Sequence, residues 1–144
     1  MAVGTKYNKW QLNQLNGTRP IDWDTDTIKV MLVTSLYTPS ATTHANKSDI
    51  TNEVTGTNYT AGGNTLSVAS VTEAAGVTKV DFADTSWLQS GAGFTNARYA
   101  IFYKDTGVAT TSPVAFYYDF TADKGNVAGD LTLQLAAGGL FTST

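Results

Sequence analysis

The sequence predicts an all-β fold, an antiparallel β-sandwich of jelly-roll-like type, with a short N-terminal helix. Three observations predict it. The stretch from Phe94 to Phe120 holds two aromatic, apolar runs, Ala97 to Tyr103 and Val114 to Phe120. Lys104, Asp105, Thr106 and Gly107 follow the first run, and their turn chemistry makes the pair an antiparallel hairpin. The run from Thr27 to Thr34 is apolar, rich in β-branched residues and too short to favour a helix, so it reads as a buried central strand. The composition is low in charge, at 15%, and rich in Thr, Gly and Asn, with no helix–strand alternation of the kind that marks a parallel sheet.

In chain order, Lys6 to Leu15 places Tyr7, Trp10 and Gln14 at helical spacing, and Asn16 and Gly17 are helix-terminating residues. A helix this short is marginal in water and needs a surface to lie on, either its own sheet or another subunit. Pro20 stops it, and Ile21 to Asp26 forms an acidic connector. Residues 1–26 are thus an arm and connector, and residues 27–144 are the sandwich of one domain. The polar span from Tyr37 to Asn64 is too long for a bare loop and is expected to carry a short helical turn and one edge strand. Thr65 to Val71, with Leu66 and Val68 on one face, and Val77 to Ala83, with Val80 and Phe82, read as strands joined by a turn at Ala74, Ala75 and Gly76. Trp87 and Leu88 begin another apolar patch, and Leu131, Leu133 and Leu135 alternate inward ahead of a small-residue tail. About seven to nine strands result. In the central hairpin, the face carrying Arg98, Lys104 and Asp119 reads as partly wet, which puts the core on the other face.

A chain of 144 residues buries enough surface as one domain to need no staple. The absence of cysteine excludes disulfides, thiolate metal sites and a cysteine nucleophile. A formal charge of −3 without a basic cluster argues against nucleic acid as a partner. No apolar run follows Lys6 and Lys9 as a secretory signal would require, and none approaches membrane-spanning length.

The residues that invite chemistry form no convincing constellation. Asp22, Asp24 and Asp26 alternate like the start of a calcium loop. Counted from Asp22, however, the glycine position is Thr27 and the bidentate glutamate position is Val33, inside a strand, so the EF-hand pattern fails. A calcium site of another kind and a solvated connector whose carboxylates bond nearby amides both remain as readings, the second favoured. His44 is the one histidine, in a polar segment with no nucleophile-elbow pattern around any serine. Glu53 and Glu73 offer no distinctive glycosidase pair, and Gly62 and Gly63 are not followed by the lysine of a phosphate loop. The sequons at Asn16, Asn46 and Asn58 are read as products of an Asn- and Thr-rich chain. No catalytic residue, cofactor or metal is therefore expected.

Tyr99, Tyr103, Tyr117 and Tyr118 could form a carbohydrate-stacking platform, though aromatics at strand spacing are more often core and rim. Tyr7 and Trp10 on the helix, with Tyr37 and Tyr59 at the edges of the long polar span, are the interface candidates, since aromatics favour buried interface centres. Each has packing within its own subunit as the competing reading.

The segments DTIKVMLVTSLYTP (Asp26 to Pro39), SDITNEVTGTNYTAGGNTL (Ser48 to Leu66), ARYAIFYKDTG (from Ala97) and SPVAFYYDF (to Phe120) resemble a family of small tailed-bacteriophage virion proteins. The resemblance extends to the N-terminal helix and the IDWDTDT connector. It implies a structural role without catalysis: a capsid cement or decoration protein on the capsid surface, a β-sandwich assembling as a homotrimer or similar oligomer, with the major capsid protein as partner. A tail component, such as tail tube, fibre attachment or receptor contact, is the alternative within the virion. A carbohydrate-binding or carbohydrate-active sandwich is the alternative outside it. Leu88 to Gly93 departs from the family pattern as a longer, glycine-rich loop.

Overall fold

The computed structural model describes residues 4–67 and 69–143. They form ten strands and one α-helix: β1 (Thr5–Lys6), α1 (Asn8–Asn16), β2 (Ile28–Val33), β3 (Asn64–Thr65), β4 (Ser70–Ala74), β5 (Val77–Asp81), β6 (Thr85–Trp87), β7 (Ala97–Lys104), β8 (Val114–Lys124), β9 (Leu131–Leu133) and β10 (Phe141–Ser143). The fold is all-β, antiparallel and sandwich-like. One five-stranded sheet runs β1-β8-β7-β2-β3, a three-stranded sheet runs β10-β5-β4, and β6 pairs with β9.

The aromatic hairpin is the middle of the large sheet. β7 is flanked by β2, in register from Ile28 opposite Lys104 to Val33 opposite Tyr99, and by β8. Phe102 faces Phe116 and Tyr103 faces Val114, so Ala115 is an extra residue that bulges β8. Both faces of this sheet are buried. On one, Val30, Leu32, Ala100, Phe102 and Phe116 join Val80 and Phe82 from β5 and its continuation, Trp87, Leu133 and Leu140. On the other, Met31, Val33, Ile101, Tyr103 and Val114 pack with Tyr7 and Tyr37.

The larger core thus lies on the face of Ala100 and Phe102, where the alternation had placed the wet side. The charges misled because Arg98 and Lys104 sit at the two ends of β7. There each finds a carboxylate, Asp119 at 2.6 Å and Asp26 at 2.8 Å. A charge at a strand end marks where the strand leaves the core and not which face is solvated.

The polar span holds the expected helical turn, while the edge strand begins only at its last residue, Asn64. Lys47–Asp49 is a single 3₁₀ turn closed by a capping box between Asn46 and Asp49, and β3 is the sheet's edge. The expected strand from Thr65 to Val71 is not continuous: the chain leaves the large sheet after Thr65 and joins the small one at Ser70. Val68 lies outside the described residues. The turn after β4 is as expected, with Ala75 at φ 52° and Gly76 at φ 80°, the paired positive angles of a tight hairpin turn.

The small-residue tail is a strand: β10 pairs with β5, and Leu140 just before it is fully buried. The N-terminal arm is likewise part of the domain. β1 pairs with β8, and α1 ends at Gly17, whose φ of 70° is the left-handed cap that glycine adopts without penalty.

Candidate functional site

α1 lies at the open side of the sandwich, between the outer strands β1 and β10. Its inward anchor is Trp10, whose ring sits 4.9 Å from Phe116, 5.3 Å from Phe141 and 6.0 Å from Trp23, centroid to centroid. Gln14 fastens the helix to the connector, donating to the Ile21 carbonyl at 3.1 Å and accepting from the Ile21 amide at 2.8 Å. No residue of α1 is fully buried, and its outer face carries Leu12, 51% exposed, and Leu15, 80% exposed. Beside the helix runs a groove of about 460 Å³, lined by Trp10, Gln11, Leu15, Phe116 and Phe141 among others.

The four interface candidates separate in the structure. Tyr7 and Tyr37, expected as anchors on another chain, are buried within their own domain, and that expectation is corrected. Both belong to the core cluster between the large sheet and the span that covers it, so neither ring has surface left for a partner. The Tyr7 hydroxyl lies 2.8 Å from that of Tyr37, which lies 2.8 Å from His44 Nδ1. Burial, reinforced by the hydroxyl pairing, pushes the Tyr7 pKa far up, and burial pushes Tyr37 up to about 12. Tyr59 is half-buried and packs against the main core. Its hydroxyl donates to Glu53 at 2.7 Å and accepts from the Leu32 amide at 2.9 Å. Burial and then the neighbouring Glu53 carboxylate raise its pKa. Trp10 is half-buried, with its inner part in the core and its outer part in the groove.

The acidic connector is an internally bonded loop. Asp26 accepts from the Asp22 amide and pairs with Lys104, both at 2.8 Å, while Asp22 accepts from the Asp24 amide at 3.1 Å. The bond from Thr25, followed by the Asp24 amide, holds the Asp22 carboxyl below the usual range. Ile21 just before these acids and Trp23 between Asp22 and Asp24 are buried, which fixes the loop. Among the described residues no group of three His, Asp or Glu is arranged to hold a metal. Glu53 accepts from Tyr59 and from the Gly62 amide, and Glu73 from the Gly76 amide, so each glutamate closes its own loop. The four hairpin tyrosines do not share a face: Tyr99, Tyr103 and Tyr117 pack in one cluster and Tyr118 in the other.

Comparison with family models, with curated proteins and with solved structures finds no match to this chain. No helix of the described residues is long and apolar enough to cross a membrane.

Sequence reasoning found Trp10 but missed what surrounds it. Phe116 and Phe141 come from strands remote in sequence, and only the pairing of β1 with β8 and of β10 with β5 brings them to the helix. Leu12 and Leu15, which the sequence places alongside Tyr7, Trp10 and Gln14, lie three apart on the exposed side of the helix. A helix with apolar residues on two faces has one more than its own domain covers.

Proposed function

We propose that this protein is a structural component of a tailed-bacteriophage particle, a cement or decoration protein that binds the assembled head and stabilises it. The observation that carries the reading is the outer face of α1. A nine-residue helix is held by Trp10 and Gln14 on its inner side while Leu12 and Leu15 are presented to solvent. Adjacent exposed leucines on an ordered helix mark a docking surface. The polar and titratable groups of the domain hold loops and strand ends together, as Glu53, Asp49 and the connector aspartates do, which is the use expected of them in a module that binds. The strand and turn motifs resembling small virion proteins supply the partner. A protein that binds only the assembled lattice stabilises it by mass action, and many weak contacts act together on a repeating surface.

The test is mass-calibrated quantitation of the protein in purified particles relative to the major capsid protein. A copy number in simple ratio to the shell subunit supports head decoration. A number that matches tail symmetry moves the protein to the tail, and absence from the particle overturns the virion reading.

A further inference from the structure

Of the two arginines in the chain, Arg98 is spent on Asp119, whereas Arg19 meets no carboxylate among the described residues. It is not a loose surface cation. Half-buried just after α1, it is fixed through one nitrogen, Nη1, which donates to Asn46 Oδ1 at 2.6 Å and to the Thr110 carbonyl at 3.1 Å. Asp49, which caps the turn that Asn46 begins, is tied to the Ala45 and Asn46 amides instead. A guanidinium carries its five N–H donors in one rigid plane. The three on Nε and Nη2 have no partner among the described residues, on a group that is held in place.

Arg19 lines a cleft of about 250 Å³ together with Thr18, Lys104, Thr106 and Thr111, and no carboxylate is among its lining residues. Lys104 pairs with Asp26 at 2.8 Å. The uncompensated charge is therefore the positive one on Arg19, in a chain whose net charge is −3. The loop that carries Thr106 and Thr111 is stiff. Fully buried Ser112 donates to the Val108 carbonyl at 2.9 Å and accepts from the Thr106 amide at 3.0 Å, and its carbonyl accepts from the Lys47 amide at 2.8 Å. The hydroxyls of Thr106 and Thr111 lie 2.6 Å apart. Their bond uses one of their two protons and leaves the other to turn to a ligand. Both sides of the cleft are thus built before anything binds, which spares the cost of ordering them.

We propose that this cleft binds a phosphate group, with Arg19 as the anchor and the hydroxyls of Thr106 and Thr111 as the second contact. The planar fork of an arginine matches two oxygens of a phosphate. A carboxylate would spend both its oxygens on that fork and leave the threonines unmet, whereas a tetrahedral phosphate has further oxygens for them. The volume lies below the roughly 300–1,000 Å³ of pockets that enclose whole organic ligands. The site therefore takes the phosphate group itself, free or carried on a small polyol, and not a nucleotide. It uses no residue of α1 and stands whether or not the protein belongs to a phage particle.

Titration of the full chain with inorganic phosphate and with glycerol phosphate, each against acetate and chloride at matched ionic strength, tests this by NMR of the backbone amides and the arginine Nε–H. The expected result is saturable shifts at Arg19, Thr106 and Thr111 with a Kd on the order of 1 mM, the affinity that two or three charge-assisted hydrogen bonds supply in water. Arg19→Gln should weaken phosphate binding roughly tenfold, and Arg19→Lys, which keeps the charge and loses the fork, roughly threefold to fivefold. Because Arg19 also pins the arm, Thr111→Val is the second variant. It leaves both Arg19 bonds in place and should weaken binding roughly threefold at unchanged melting temperature. Tighter binding of glycerol phosphate than of inorganic phosphate supports the site and assigns it to a phosphorylated polyol; equal or weaker binding supports it and assigns it to the free ion. The absence of saturable shifts up to about 50 mM phosphate overturns the proposal. So do shifts that acetate or chloride reproduces, or an affinity that neither Arg19→Gln nor Thr111→Val changes.

Discussion

The hydroxyls of Tyr7 and Tyr37 meet at 2.8 Å in a site closed to solvent, and the direction of that bond is fixed from outside it. The Ser40 amide points at His44 Nδ1 at 3.3 Å, and an N–H can only donate, so Nδ1 is an acceptor. Tyr37 therefore donates to His44, and Tyr7 donates to Tyr37. Removing Tyr37's oxygen strands the Tyr7 hydroxyl in the core, whereas removing Tyr7's leaves Tyr37 still bonded to His44. Tyr37→Phe should cost about 2 kcal/mol and Tyr7→Phe about 1 kcal/mol or less, with the double variant no worse than Tyr37→Phe. Urea denaturation of the three variants measures this, and equal losses for the two singles would refute the assigned direction.

Asn126 is fully buried and ties three loops together. Its side chain accepts from the Phe94 amide at 2.9 Å and donates to the carbonyls of Leu88 at 2.8 Å and Thr57 at 3.2 Å. The backbone around it leaves no room for replacements. A Cβ at Gly93 would fall 1.9 Å from its Oδ1, and one at Gly125 would fall 2.2 Å from the Phe94 carbonyl. Asn126→Ala should lower stability by about 2 kcal/mol, because the buried Phe94 amide loses its side-chain acceptor and the part-buried Thr57 and Leu88 carbonyls lose a donor. Asn126→Asp should be at least as damaging, since a carboxylate cannot donate to the two carbonyls. A loss under about 1 kcal/mol in chemical denaturation would show that water replaces the side chain.

What was legible in the sequence follows the range of the interactions involved. The β7–β8 hairpin, β2 and α1 with its Gly17 cap rest on local periodicity and turn chemistry, and each is where the pattern places it. β10 was read as a tail because Phe141–Ser143 has no strand signal of its own and exists through its pairing with β5. Asn126 carries no local signal, because Thr57 and Leu88 reach it only through the fold. The interface aromatics failed for a related reason: burial within the domain and burial between domains select the same residue types, so Tyr7 and Tyr37 could not be sorted without the second layer over the sheet.

Acid should weaken the fold through a small set of carboxylates. Asp105 is held below its ordinary value of 3.8 by the Gly107 amide and then by Lys29, and Asp119 below the same value by Arg98. For Asp49 burial works the other way, but the amides of Ala45 and Asn46 outweigh it and the net shift is downward. A carboxyl whose folded value lies below its unfolded one stabilises the fold above the unfolded value. That contribution is lost as the pH falls through the folded value. The melting temperature should therefore stay level from neutral pH to about 5 and fall progressively below about 4. Asp105→Asn should lower the plateau and shallow the acid limb. An acid limb of unchanged depth would show that Asp105 has no part in it.

Trp10 and Leu15 are five residues apart on α1 and should separate folding from docking. The Trp10 ring contacts Trp23, Phe116 and Phe141, so Trp10→Ala opens a cavity beneath the helix and should cost about 2–3 kcal/mol. Leu15 is 80% exposed, and Leu15→Asn should leave stability within about 0.5 kcal/mol of the parent. If the outer face of α1 is what the particle binds, Leu15→Asn will cosediment poorly with assembled shells while melting like the parent. The folded fraction of Trp10→Ala will still bind, more weakly in proportion to how far the helix has loosened. If Leu15→Asn instead binds shells like the parent, the exposed leucines are not the docking surface, and the particle contact lies elsewhere on the domain.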